Sequence, residues 1–142
     1  MKISILTKTD DFIAVNKPAC LLVHSVPGKE NEETLASLLL KEYPEIGTVG
    51  DCPSKRPGIV HRLDRETSGV MIVARNQEFF NYFKNLLKNR KVKKTYLVLV
   101  LGDVPRPIII NTPIGLKSGT VRHTTALKNI KMIKPAETEI RP

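Results

Sequence analysis

The stretch Arg56-Pro57-Gly58-Ile59-Val60-His61-Arg62-Leu63-Asp64-Arg65-Glu66-Thr67-Ser68-Gly69-Val70-Met71-Ile72-Val73 constrains this chain more than any other. Its flanks are apolar and its middle is polar. Ile59-Val60 enters as a short buried strand and Val70-Met71-Ile72-Val73 leaves as another. A carboxylate beside apolar strands must be compensated, and Arg62 and Arg65 flank Asp64 closely enough in sequence to do it. Arg62 and Asp64 are separated by one residue, so in an extended segment they share a face. Thr67-Ser68-Gly69 supplies turn chemistry, with Gly free to take positive φ. Two rigid strands holding a charged turn make a platform for a positioned carboxylate. By pattern alone, the same residues also suit a structural ion-pair turn with no chemistry.

His61-Arg62-Leu63-Asp64-x-x-Thr67-Ser68-Gly69 resembles, without a break, the HRLDxxTSG signature of the RluA-type pseudouridine synthases, and Arg56 to Val60 resembles that family's approach to it. Asn16-Lys17-Pro18-Ala19-Cys20-Leu21-Leu22-Val23-His24 is similar to the family's NKPxGLLVH segment, with Cys20 where Gly, which serves well at positive φ, is usual. Lys94 to Gly102 resembles its KxYxAxVxG strand, and Ala136 to Ile140 its AxTxF/Y segment. The likeness runs from about Phe12 to the last residue.

The resemblance implies an α+β fold with a mixed, mainly antiparallel sheet and packed helices. It implies a single catalytic domain, of which residues 1–142 are the N-terminal portion, and isomerisation of uridine to pseudouridine in ribosomal or transfer RNA; the S4-type RNA-binding module that some members carry is not expected here. Asp64 is then the catalytic nucleophile, and Tyr96 the active-site tyrosine, its ring stacking on uracil and its hydroxyl available for proton transfer. Arg62 takes the space left by a flipped uridine; simple pairing with Asp64 is the alternative. His61 is structural. The family's domain normally continues into a GRTHQIRVH-like segment that supplies a further arginine, and nothing here matches it. The expectation is therefore a fragment or truncated gene product, poorly soluble or oligomeric and inactive as an isomerase in isolation; an RNA-binding module with this fold but no turnover is the alternative. The reaction takes in no electrons, water or group donor, so neither metal nor other cofactor is required.

Charge points toward a polyanion independently. Residues 1–53 hold five Lys/Arg against eight Asp/Glu, whereas residues 54–142 hold 18 against six, giving +9 over the 142-residue chain. A basic half of this kind is an electrostatic footprint for nucleic acid; solubility alone is the plainer reading. Lys84, Lys88, Arg90, Lys91, Lys93 and Lys94 place six cations in eleven residues with no acid among them. With Arg62 and Arg65, the last five of these form the candidate RNA-binding set; a solvated helix end is the alternative. Cys20 and Cys52 form no CxxC pair, and reduced thiols in a cytoplasmic protein are expected. No apolar run reaches about 18 residues, so no membrane span is expected, and nothing in the sequence sets the oligomeric state. Ser68, His61 and Asp64 lie too close in sequence for a triad and lack a G-x-S-x-G elbow. Cys52, His24 and His61 lack metal-ligand spacing, and no glycine-rich phosphate loop is visible.

Along the chain, Ile3–Thr7 is expected as an edge strand and Phe12–Lys17 as a strand stopped by Pro18. Leu35, Leu38 and Leu39 predict a helix over Thr34–Tyr43, closed by Pro44, with loop from there to Pro57. Asn76 caps a helix from Gln77 to about Arg90, with Phe79, Phe83, Leu86 and Leu87 as its apolar face. Lys94–Leu101 carries the strongest strand pattern, followed by a short strand at Ile108–Ile110, loop at Asn111–Gly115, a basic, weakly patterned stretch at 117–134 and a last strand beginning at Ala136.

Overall fold

A computed structural model describes residues 2–120, 123–126 and 130–142; part of the basic 117–134 stretch lies outside the described residues. The chain forms two compact units, Met1–Thr95 and Tyr96–Pro142. Both are built on antiparallel strand pairs, and the α+β class expected from the resemblance is the one observed. Among the described residues, no helix is long and apolar enough to cross a membrane.

The first unit is a three-stranded sheet with two helices. Strand β1 (Ser4–Lys8) pairs with β2 (Phe12–Lys17), which pairs with β3 (Gly69–Ala74), in the order β1-β2-β3. The central strand is apolar on both faces over Phe12 to Val15, where both are covered, and turns polar at the exposed Asn16. Ile13 and Val15 point into the main core with Met71 and Val73, while Phe12 stacks on Phe79 at 5.0 Å. Lys17 continues the phase of Ile13 and Val15 and is fully buried.

Helix α1 (Leu35–Glu42) starts on a capping box: Thr34 Oγ1 accepts from Ser37 N at 3.1 Å, and Ser37 Oγ accepts from Thr34 N at 2.9 Å. It buries Leu35, Ala36 and Leu39 in the main core. Pro44 ends it as expected, but the chain continues into a 3-10 turn over Pro44–Thr48 that buries Ile46, where loop was expected. Proline is well placed to open such a turn, since its missing N–H needs no partner there.

Helix α2 (Gln77–Lys88) is capped by Asn76, whose side chain accepts from Phe79 N at 2.8 Å and donates to Asp11 Oδ1 at 2.8 Å. It ends two residues before the expected Arg90. Lys91 N donates to Leu86 O and Arg90 N to Leu87 O, a Schellman closure with Arg90 at φ 55 in the position glycine usually holds.

The expected strand at Ile59-Val60 is a single bridge between Ile59 and Val73. Gly58 explains the difference. It sits at φ +67, and a Cβ there would lie 2.6 Å from Ala74 O and 2.9 Å from a Val73 methyl. The chain thus turns sharply against the sheet edge and touches it at few points, with Gly58 N donating to Val49 O and Ala74 N to Gly58 O.

In the second unit, β4 (Ile108–Ile110) pairs with β8 (Thr138–Ile140). β5 (Ile114–Lys117) lies between β6 (His123–Thr124) and β7 (Ile130–Lys134). Strand β5 thus begins inside the segment expected as loop, and β7 bulges opposite Gly115, with Met132 at φ 55. The main correction concerns Lys94–Leu101: it forms no strand, and Leu97, Leu99 and Leu101 are essentially fully exposed. β-propensity records fitness for a half-buried sheet surface, and among the described residues no neighbouring strand supplies one.

Gly58→Ala is expected to destabilise the fold by about 2–4 kcal/mol, from positive-φ strain together with the clash against the β3 backbone. Chemical denaturation measures it, and an unchanged midpoint would contradict the close approach described.

Candidate active site

The motif segment alternates as it leaves the sheet edge. Ile59 and Leu63 are buried in the core, whereas Arg62 and Asp64 are exposed on either side of Leu63. The shared face expected for Arg62 and Asp64 is thus outward, and Leu63 is the anchor that makes it so. Asp64 then opens a β-turn, its carbonyl accepting from Thr67 N at 3.1 Å.

Arginine compensation of Asp64 does not occur in the expected way. Arg65 turns away from Asp64 to Glu32 (3.7 Å) and Glu66 (3.9 Å), and its Nε donates to the Cys20 carbonyl at 3.4 Å. Arg62 makes no ion pair, and the Asp64 carboxylate has neither hydrogen bond nor ion pair among the described residues. An exposed carboxylate keeps its hydration, which removes the need for pairing.

The cation that approaches the turn from beneath is Lys17, absent from the expected site. Its ammonium donates to the carbonyls of Pro18 (2.9 Å), Leu21 (2.8 Å) and Arg65 (3.1 Å). It therefore fastens the Pro18–Leu21 turn to the Asp64 turn. Burial pulls its pKa below the ordinary lysine value, while the charges of Glu66 and Asp64 favour the cation. The signal was present in the sequence, since Lys17 is in phase with Ile13 and Val15 on the core face of its strand.

Cys20 takes φ 64, the conformation that glycine adopts freely. Its thiol donates to Glu66 Oε2 at 3.2 Å, and that hydrogen bond, with the carboxylate charge, raises the thiol pKa. His24, at the end of the same segment, is buried, and its Nδ1 lies 2.8 Å from the Ser25 carbonyl. Burial depresses its basicity, and the charges of Arg56 and Arg62 act in the same direction.

Behind the turn, His61 Nε2 accepts from Ile72 N at 3.0 Å, and its ring lies 6.1 Å from Phe83 of α2. Burial lowers its pKa, assisted by the positive charge of Lys94. Lys88, Arg90, Lys91, Lys93 and Lys94 are exposed and carry no ion pair among the described residues. Lys84 differs: Asp51 holds its ammonium at 2.6 Å through both oxygens, so it adds little to the basic surface. Tyr96 belongs to the second unit and is 56% exposed. Among the described residues, no cluster of three or more His, Cys, Asp or Glu is arranged to hold a metal ion.

The model of the RNA pseudouridylate synthase family matches residues 11–141. The chain belongs to that family. A protein of Nitrosomonas europaea called ribosomal large subunit pseudouridine synthase D is 37% identical over 140 residues, 98% of this chain and 38% of its own length. An uncharacterised RNA pseudouridine synthase of Chloroflexus aurantiacus is 41% identical over 100 residues, 70% of this chain and 30% of its own. The solved human RNA pseudouridylate synthase domain containing 1 superposes with a TM-score of 0.70 at 25% identity, over 97% of this chain and 51% of that one. The chain thus spans roughly a third of those two curated relatives and half of that structure. The RluA-type resemblance of the motif and the family match agree.

In this chain, Lys17→Met should cost about 3 kcal/mol or more, because three carbonyls lose a charged donor at once. Thermal or urea denaturation provides the measurement. A loss under about 1 kcal/mol would show that water or another donor replaces the ammonium.

Proposed function

We propose that this chain isomerises uridine to pseudouridine in structured RNA, ribosomal or transfer, with Asp64 as the nucleophile. The observation that carries the reading is the state of the Asp64 carboxylate. It is exposed and unpaired among the described residues, on a turn whose backbone is fixed by Leu63, Thr67 and the Lys17 ammonium. A structural ion pair would show a partner; a carboxylate held for a substrate does not need one.

The chemistry asks for little else. The bond from ribose C1′ to uracil N1 breaks, the base turns, C5 bonds to C1′, the C5 proton leaves and N1 gains a proton. The carboxylate can attack C1′, attack the uracil ring or remove a proton from C2′, and each route needs an unencumbered oxygen. Arg62, exposed beside Asp64, suits the space vacated by an extruded base, and Tyr96 suits stacking and proton transfer. The basic run from Lys88 to Lys94, with Arg65, suits the phosphates. The names of the relatives make large-subunit ribosomal RNA the first substrate to try, and such a substrate implies a cytoplasmic setting.

Asp64→Asn in the full-length protein should reduce tritium release from C5-labelled uridine RNA by roughly 10³-fold or more, leaving RNA affinity nearly unchanged. An RNA-binding module without turnover would bind and release nothing even as wild type. Turnover by the Asn variant beyond what deamidation restores would overturn the assignment of Asp64.

Changing Lys88, Arg90 and Lys91 together to Gln should weaken RNA binding and flatten its salt dependence. The log–log slope should fall by roughly 0.7–0.9 for each phosphate that is no longer neutralised. An unchanged slope would place the RNA path on another face.

A further inference from the structure

We propose that His61 is a positioning residue: as a neutral imidazole it accepts the Ile72 amide hydrogen and pins the segment leading to Asp64 against the edge of the first sheet. The inference rests on the assignment of Asp64 above, but its geometry stands apart from any turnover.

The outer edge of β3 meets the motif segment at a few points. Ala74 N donates to Gly58 O at 2.9 Å, Val73 bridges to Ile59, and Ile72 N donates to His61 Nε2 at 3.0 Å. At the third point a side chain substitutes for a main-chain carbonyl. The backbone is then free to diverge, and within three residues it presents exposed Arg62, buried Leu63 and exposed Asp64. An amide donor requires a lone pair on Nε2, so the proton of the neutral ring must sit on Nδ1. The imidazolium would place one N–H against another, and the bond cannot survive protonation.

The surroundings favour the neutral form. Ile72 faces His61 from β3 with its amide hydrogen, Phe83 faces it from α2 with an uncharged ring, and Lys94 acts on it from the run beyond α2. Arg62 is its neighbour in sequence, and no described carboxylate is among the charges that bear on it. Burial and Lys94 both depress its pKa. Above the unfolded value of about 6.5 the neutral ring is available in both states, and the bond contributes in full. As pH falls from there through the lower folded value, the unfolded state takes up the proton first and that contribution is withdrawn. Neutralising Lys94, by substitution or by a bound phosphate, removes one of the two causes and should raise the value.

The test is NMR on the full chain, following the His61 ring and Ile72 amide exchange across pH, with turnover measured in parallel. In the wild type, His61 should titrate below about 6.5, and Ile72 protection, corrected for intrinsic exchange, should fall with it. Lys94→Gln should shift the titration upward. His61→Leu should accelerate Ile72 exchange about tenfold relative to Ala74 and lower kcat, while His61→Gln, which keeps an acceptor, should recover much of both and lose the acid limb. Should the Leu variant fail to fold, the wild-type titration and Lys94→Gln still decide. A His61 midpoint at or above the usual value, or Ile72 protection indifferent to it, would overturn the proposal. Failure of the Asp64 reading would appear differently, as turnover by Asp64→Asn alongside an intact His61–Ile72 linkage.

Discussion

A single buried ammonium joins the two irregular segments on which the candidate site depends. Lys17 comes off the core face of β2 and meets carbonyls from the Pro18–Leu21 turn and from Arg65. Burying a lysine is costly unless its charge and all its donors are satisfied. Here three acceptors stand at hydrogen-bond distance, and the carboxylates of Glu66 and Asp64 add a favourable field. An apolar residue could fill the same volume but would leave the carbonyls facing inward without a donor. The Asp64 turn is therefore fixed through its backbone, and its carboxylate needs no structural partner to hold it in place.

The other support is the sheet edge. An open β3 edge would present unpaired amides; the motif segment covers it with the Gly58 carbonyl, the Ile59 bridge and the His61 ring. Gly58 permits the approach because no Cβ fits against Ala74 O, and Leu63 secures the far end in the core. The result is a loop that behaves mechanically as part of the sheet while its two charged residues face solvent. On α2, the Schellman closure at Arg90 ends the helix early and leads into the exposed lysines beyond it.

Much of the first unit was legible because its signals are local. Pro18 and Pro44 stop their elements, Thr34 and Asn76 cap their helices, and the apolar spacing of Phe12–Lys17 sets the face of the strand. What escaped depends on partners distant in sequence. Arg65 pairs with Glu32, far away in sequence, and with its neighbour Glu66 rather than with its other neighbour Asp64. Lys84, counted with the basic run, is taken by Asp51 thirty-three residues away. Lys94–Leu101 has strand composition without a strand neighbour among the described residues. Cys20 takes positive φ, a conformation that glycine meets most easily and that its own residue type does not announce. Lys17 was within reach, since a lysine in phase with Ile13 and Val15 marks a buried cation that must find acceptors.

The central claim is that the Asp64 platform belongs to the rigid sheet and is not a mobile loop laid over it. Native-state hydrogen exchange of the Gly58, Ile72 and Ala74 amides, compared with those of β2, tests it most directly. The account predicts that all three exchange with the same opening free energy as the central strand, because Ile72 and Ala74 donate across the junction of motif and sheet, and Gly58, which accepts from Ala74, donates to Val49 O behind it. Exchange of these amides orders of magnitude faster than that of β2 would show a fraying edge and contradict it.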